Sequence, residues 1–434
     1  MSNGEIPERK RGGEMKGVVE SRYTSGERPV REPKTMEEWA KFVREDFMGK
    51  EVPGERDLPL VTQGVTAIDF RNYALGIGDD NPLYTDPAYA AKTRWAGPIA
   101  PPTFPMTIRY TGTPDVAFPK GIMVTSMNGG VEIYNYDVIR PGDRFRSEKK
   151  VSDVVLKKGG RVGAMPIVYC RVPIWNQRDE LVAKEVGWSL HPQIAMNGGA
   201  KLLQPRSIYQ YSAVDREKII HDIESEPPRR GSKTLYWEDV KVGEKLPTKV
   251  SGPLTFGDFM TTSTGTSLEP GTNFELTYFT TKQTWIHDTG HKTPHPEMNW
   301  DYLAVMEHID PFVCLNRGIP LPFDFGVARS AMSYTYLTDW MGDDGWVFRL
   351  KTAMREVFLI GDNLWVTGEV VNKEKTKEGA AVGIKFALTN QLGAVVSPGE
   401  ATVLLPSRID GPVKLPVPQP ITPIPHETPT PMEL

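Results

Sequence analysis

The sequence predicts an α+β protein made of two copies of one unit, each a helical segment followed by an antiparallel meander. The first observation is strand periodicity. Between residues 129 and 190 the chain runs through four stretches of β pattern, with turn signals at Arg140-Pro141-Gly142-Asp143 and Lys157-Lys158-Gly159-Gly160. Apolar–polar alternation closed by Gly-rich turns is the pattern of antiparallel hairpins. The second observation is self-similarity. Tyr84-Thr85-Asp86-Pro87 returns as His308-Ile309-Asp310-Pro311, and Pro102 as Gly326, both at an offset of 224 residues. Gly142-Asp143 returns as Gly361-Asp362 at an offset of 219, and Asn176-Gln177 as Asn390-Gln391 at 214. An offset that drifts slowly is what loops of unequal length produce between tandem copies.

The elements follow in order. Residues 1–35 are charged, contain Gly and Pro, and are expected to form a flexible arm. Trp39, Phe42, Val43 and Phe47 recur at helical spacing, which predicts a short amphipathic helix over 36–48. The first unit spans 36–200, with strands expected at 129–139, 145–155, 164–174 and 181–190. A linker over 201–234 contains a helix at Val214–Glu224 and a break at Pro227-Pro228-Arg229-Arg230-Gly231. Tyr236-Trp237-Glu238-Asp239-Val240 opens the second unit, 235–408. Within it, Asp339 to Trp346 is expected to be a packed turn between helix and sheet. The tail, 409–434, is Pro-rich and expected to be extended.

Composition narrows the function. A chain of 434 residues exceeds one ordinary domain. Its net charge of −4 gives no footprint for nucleic acid or an anionic membrane. The absence of a long apolar run argues against a membrane span, and the polar N-terminus against a secretory leader. Two cysteines, Cys170 and Cys314, suit a reducing compartment, so a cytoplasmic location is expected. There is no phosphate-binding loop, dinucleotide fingerprint, Cys-x-x-Cys or nucleophile elbow.

The most informative stretch is 78–91, Gly-Asp-Asp-Asn-Pro-Leu-Tyr-Thr-Asp-Pro-Ala-Tyr-Ala-Ala. It resembles the Gly-Asp-x-Asn-Pro-x-His-x-Asp signature of MaoC-like (R)-specific enoyl-CoA hydratases, with Tyr84 in place of the histidine. The opener at 236–243 is also common in that family. The resemblance covers roughly residues 45–408. It implies a tandem (double) hotdog fold, in which a curved antiparallel sheet wraps one long helix in each half. It also implies a hydro-lyase that adds or removes water across the α,β bond of an acyl-CoA thioester. No cofactor is implied beyond the coenzyme A of the substrate itself. A homodimer is expected, although a double hotdog pairs its sheets within one chain and so permits a monomer.

Such a reaction needs a base for water, an acid for Cα, and donors for the thioester oxygen. In the resembled family an Asp and a His five residues apart supply the first two, and a glycine amide opening the central helix supplies the third. In the first half Asp79 and Asn81 match, but Tyr84 replaces the base. Pro102, which has no N–H, replaces the glycine. That half is expected to be non-catalytic, with Asp79, Asn81 and Tyr84 shaping a loop or part of the acyl or CoA groove. In the second half His308 and Gly326 are present, but Leu303 stands five residues before His308. Asp301 and Asp324 are the candidate partners, with Asp301 slightly favoured. Arg329 is a candidate for a ligand phosphate or carboxylate, or for pairing with Asp324. His287, His291 and His295 have the spacing of one helical face, but Gly290 and Pro294 interrupt it. No metal is therefore expected, and His291 and His295 are placed at the mouth of the site. The rivals are a hotdog thioesterase, resting on a carboxylate, and a non-catalytic acyl-CoA-binding subunit.

Overall fold

The computed structural model describes residues 33–51, 64–109, 111, 119, 122–124, 126–158, 164–194, 206–266, 292–295, 297–298 and 300–419. The expected arm, apart from residues 33–35, and the end of the tail lie outside these residues. The first half runs α1 (Met36–Phe47), α2 (Ala67–Gly76), α3 (Pro82–Thr85), α4 (Pro87–Ala90) and α5 (Pro105–Ile108). Its strands are β1 (Met123–Val124), β2 (Met127–Asn135), β3 (Phe145–Ser147), β4 (Lys150–Lys158), β5 (Ala164–Asn176), β6 (Leu181–Leu190) and β7 (Gln193–Ile194). The linker carries α6 (Ala213–Glu224). The second half runs β8 (Lys245–Ser251), α7 (Phe256–Thr266), β9 (Lys292–His295), β10 (Trp300–Leu303), α8 (Pro311–Asn316) and α9 (Gly326–Met341). It closes with β11 (Trp346–Ala353), β12 (Leu364–Lys375), β13 (Ala380–Asn390) and β14 (Val395–Leu404).

The repeated residues perform the same task in each half. Gln177 Nε2 donates to Asp143 Oδ1 at 3.0 Å, and Arg144 N–H donates back to Gln177 Oε1 at 3.0 Å. In the second half Gln391 Nε2 donates to Asp362 Oδ1 at 2.6 Å, and Asn363 N–H donates to Gln391 Oε1 at 3.0 Å. The Gly-Asp turn is thus latched to the later hairpin in both copies. Asp86 and Asp310 each cap a short Pro-initiated helix, accepting two backbone N–H groups apiece. Thr66 with Asp69 and Thr255 with Asp258 form matching capping arrangements on α2 and α7. These two helices cross where Gly76 meets Gly265. A Cβ added to Gly265 would stand 2.5 Å from Asn72 O and 2.8 Å from Gly76 Cα, so only glycine permits the crossing.

Both meanders merge into one ten-stranded antiparallel sheet, ordered β3-β5-β6-β2-β11-β14-β13-β12-β8, with β4 also on β5. The seam is β2 against β11, from Arg349↔Tyr134 to Ala353↔Gly130. Two neighbouring rows cross this seam. The inner row, Ile133–Leu350–Ala401–Ile384–Val370, is apolar and buried. The row beside it alternates in charge, Glu132, Lys351, Glu400, Lys385, Glu369, Lys245, with Glu132 and Lys351 buried at the seam and the rest more open. Strand alternation puts the two rows on opposite faces. Glu185 of β6 extends the inner row, opposite Ile133.

The halves differ in their central helix. α9 has 16 residues, whereas its first-half counterpart among the described residues is the four-residue α5. Pro101, Pro102 and Pro105 account for this, since each removes a helix N–H and fixes φ. α9 also runs on to Met341 and is closed by Gly342 at φ 74°. Asp339 and Trp340 therefore sit in its last turn, inside the span expected to be a turn. The tail is less loose than its composition implies. Val413 and Val417 are buried in the main core, and Val417 N–H donates to Tyr136 O at 2.6 Å.

Candidate active site

Residues 323–326 build most of the site. They run in extended form beside residues 358–359, held by the Asp324 N–H to Phe358 O bond of 2.9 Å, and then enter α9. His308, at the end of a 3₁₀ turn over Ala304–His308, packs into this segment. Its Nδ1–H donates to Phe323 O at 2.9 Å. The rings of Phe323 and Phe325 clamp the imidazole, each with its centroid 4.3 Å away. A carbonyl only accepts, so in the neutral imidazole the free lone pair lies on Nε2. Desolvation between the rings pushes the His308 pKa below its ordinary value, against the opposing pull of Glu307, the Phe323 carbonyl and Asp324. The side chain is poised as a neutral base.

A cavity of about 200 Å³ is lined by His308, Asp324, Gly326, Arg329 and Glu307 from the second half, and by Asn128 and Leu190 among others from the first. Gly326 opens α9, and Phe325 at the N-cap supplies no side-chain hydrogen bond. The amide end of a long helix, where partial positive charge collects, is therefore part of the wall. A Cβ on Gly326 would stand 2.9 Å from Asn128 Cβ, so glycine is needed for the two halves to close here.

Asp324 is buried and accepts from Arg329 Nε through Oδ2 at 2.6 Å. Arg329 Nη1 donates to Glu356 O at 2.7 Å and Val396 O at 3.0 Å. Arg329 is buried and pairs with Asp324, the second of the two roles expected of it, while also lining the cavity. Asp324 Oδ1 has no hydrogen-bond partner among the described residues. Burial raises the Asp324 pKa although Arg329 works the other way.

Asp301 lies on β10, its backbone paired with Pro294, and its side chain falls outside the described residues, whereas Asp324 stands in the wall. His295 is buried, but it does not line the cavity. Its Nδ1 accepts the N–H groups of Glu297 and Met298, and its ring packs on Tyr302 and Phe312. His287 and His291 lie outside the described residues. Among the described residues no group of three metal-type ligands converges.

The first-half motif also stands away from the cavity. Asp79 is fully buried and accepts from Tyr334 Oη of α9 at 2.8 Å, Arg229 Nη2 at 3.1 Å and Asn81 N–H at 3.0 Å. Arg229 also reaches Asp80 at 2.8 Å and Asp339 at 2.7 Å. Asn81 caps α3, and Tyr84 is buried edge-on to Tyr334 at 6.0 Å. Asp79 and Asn81 shape the loop through side-chain-to-backbone bonds, the other of the two roles expected of them, and Asp79 also reaches the linker and α9. The sequence signal was present in Pro227-Pro228-Arg229-Arg230 but read only as a break. The first-half wall at Asn128 and Leu190 had no signal at all, since the seam between β2 and β11 brings it there.

Two helix-and-meander halves joined through one sheet make the architecture a double hotdog, a fold shared with a solved MaoC-like dehydratase. Residues 53–185 match the FAS1-like dehydratase domain region family. Over 48 residues the chain is 46% identical to a UPF0336 protein of Thermobifida fusca, a match covering 11% of this chain and only 32% of that protein. Over 121 residues it is 28% identical to a UPF0336 protein of Streptomyces avermitilis, covering 27% of this chain and 77% of that one. A solved structure described as a MaoC-like dehydratase superposes with a TM-score of 0.54 at 15% identity, covering 79% of this chain and 94% of that one. That likeness shows the fold. No described helix is long and apolar enough to cross a membrane.

Proposed function

We propose that the chain is a hydro-lyase that adds or removes water across the α,β bond of an acyl-CoA thioester, working from its second half. The observation that carries this is the meeting of His308 and the Gly326 helix terminus in one cavity. His308 Nε2 takes the proton of water as its oxygen bonds to Cβ. The double-bond electrons move toward the thioester oxygen, which the Gly326 amide receives. Because hydration is reversible, the same groups run in reverse for dehydration.

The test incubates the protein with a panel of enoyl-CoA and 3-hydroxyacyl-CoA thioesters, following enoyl absorbance and free thiol together. The expected result is enoyl turnover without thiol release. Thiol release would identify a thioesterase, and tight binding with neither signal a binding protein. His308→Ala should lower kcat/KM by ~10²–10⁴-fold, the usual worth of a positioned proton-transfer group. Tyr84→Phe should leave turnover unchanged, because Tyr84 lies outside the cavity. A large loss in Tyr84→Phe with little in His308→Ala would place the reaction in the other half.

A further inference from the structure

Hydration needs a second proton carrier, and the residue five before His308 is Leu303. Among the described residues three carboxyls line the cavity, Glu307, Asp324 and Glu356, and of these Glu356 is exposed to solvent. Glu307 Oε2 is joined to Arg317 in a buried pair. Asp324 is also joined to an arginine through Oδ2, and its Oδ1 is buried with no partner among the described residues. A buried oxygen left without a partner is uncommon and asks for an explanation. We infer that Asp324 is the acid that exchanges a proton with Cα, and that Arg329 is the positioning residue that fixes which of its oxygens carries that proton. This rests on the hydro-lyase reading and completes its proton inventory.

The reasoning is local. Arg329 is anchored to two carbonyls and gives its Nε–H to Oδ2. An oxygen already accepting a guanidinium proton is the poorer place for the acid's own proton, so that proton sits on Oδ1. Burial raises the Asp324 pKa, against the pull of Arg329, and lowers that of His308, which displaces the two groups toward acid and base respectively. The step then balances. Water gives one proton to His308 Nε2, and its oxygen bonds to Cβ. The C=C pair shifts to form the enolate at the Gly326 amide. The enolate collapses as Asp324 Oδ1–H delivers its proton to Cα. Product leaves with Asp324 anionic and His308 cationic, and a proton passes from His308 to Asp324 through solvent to reset the site. The order of parts along the chain is therefore inverted relative to the resembled family, with the acid following the histidine, two residues before the helix-opening glycine.

The test compares Asp324→Asn, Asp324→Asn with Arg329→Gln, and Arg329→Gln alone, using an enoyl-CoA that the parent turns over. The double variant replaces the ion pair by neutral amides and guards against a fold left with an unpaired arginine; thermal melts check this. Both Asp324→Asn variants should lose at least ~10²-fold in kcat with little change in KM. Arg329→Gln should move the alkaline limb of the kcat/KM profile to higher pH, since the cation that holds the Asp324 pKa down is gone. The other charged groups near the pair among the described residues, His308, Glu307, Arg317, Arg355 and Glu356, are unchanged. A merely structural arginine would scale the profile without moving that limb. A folded Asp324→Asn variant with near-parental kcat overturns the assignment of Asp324 and leaves the hydro-lyase reading standing. A parent inactive on every thioester overturns both.

Discussion

Replacing Arg229 with alanine is expected to lower the unfolding free energy by about 3–5 kcal/mol, the usual result of removing one partner of a buried ion pair. Arg229 holds Asp79, Asp80 and Asp339 at once and ties the linker to both halves. Asp79 is fully buried, and burial already raises its pKa, with Arg229 the first influence opposing that. Without the guanidinium, Tyr334 Oη and Asn81 N–H remain as partners for the carboxylate, and neither carries charge. Urea denaturation at neutral pH reads the loss. Adding Asp79→Asn to the Arg229→Ala background should recover part of it. A drop below about 1 kcal/mol, the range of an exposed pair, would mean that the clamp is not holding the halves. Asp79 thus matches the position of a catalytic acid in the resembled family, yet its contacts are those of a structural anchor for the other half's helix.

Glu185→Leu is expected to act in the opposite direction, raising stability by about 1–3 kcal/mol at neutral pH. Glu185 lies in the apolar inner row, fully buried, with no hydrogen-bond partner for either carboxyl oxygen among the described residues. Desolvation pushes its folded-state pKa well above the ordinary 4.5. The unfolded chain therefore releases this proton first as pH rises, and the parent loses stability from the ordinary carboxylate range upward until the folded-state pKa is passed. Below that range both states are protonated and the loss vanishes. The gain from Leu should accordingly shrink in melts near pH 4. A Leu variant no more stable than the parent at neutral pH would show that the carboxyl is satisfied in solution.

The parts of this protein legible from sequence were those whose partners also repeat. The Gly-Asp turn and the Asn-Gln hairpin were visible as separate signals at offsets of 219 and 214, and the structure joins them in both halves. Strand periodicity located β5 and β6 closely because one face of each is buried along its length. His308 and Gly326 were found for the same reason, by their alignment with Tyr84 and Pro102. What remained hidden depends on contacts between stretches with no repeat counterpart. Arg229 sits in a linker, and its partners lie about 110 and 150 residues away. Asn128 reaches Gly326 only because β2 and β11 pair. The extended course of residues 323–325 carries Asp324 into the wall, and a three-residue segment between a loop and a helix does not announce it.

The alternating charges across the sheet have a consequence for how it finds its alignment. Each of Lys351, Glu400, Lys385 and Glu369 has an opposite charge directly across on both neighbouring strands. Sliding any one of these strands by a single residue would reverse its faces, sending its charge into the apolar row and an aliphatic side chain into water. The penalty falls on both ladders of that strand together, so a misaligned strand also spoils the pairing its neighbours offer. Six strands drawn from two halves of the chain are thereby committed to a single shared alignment, a form of proofreading written in charge across the seam.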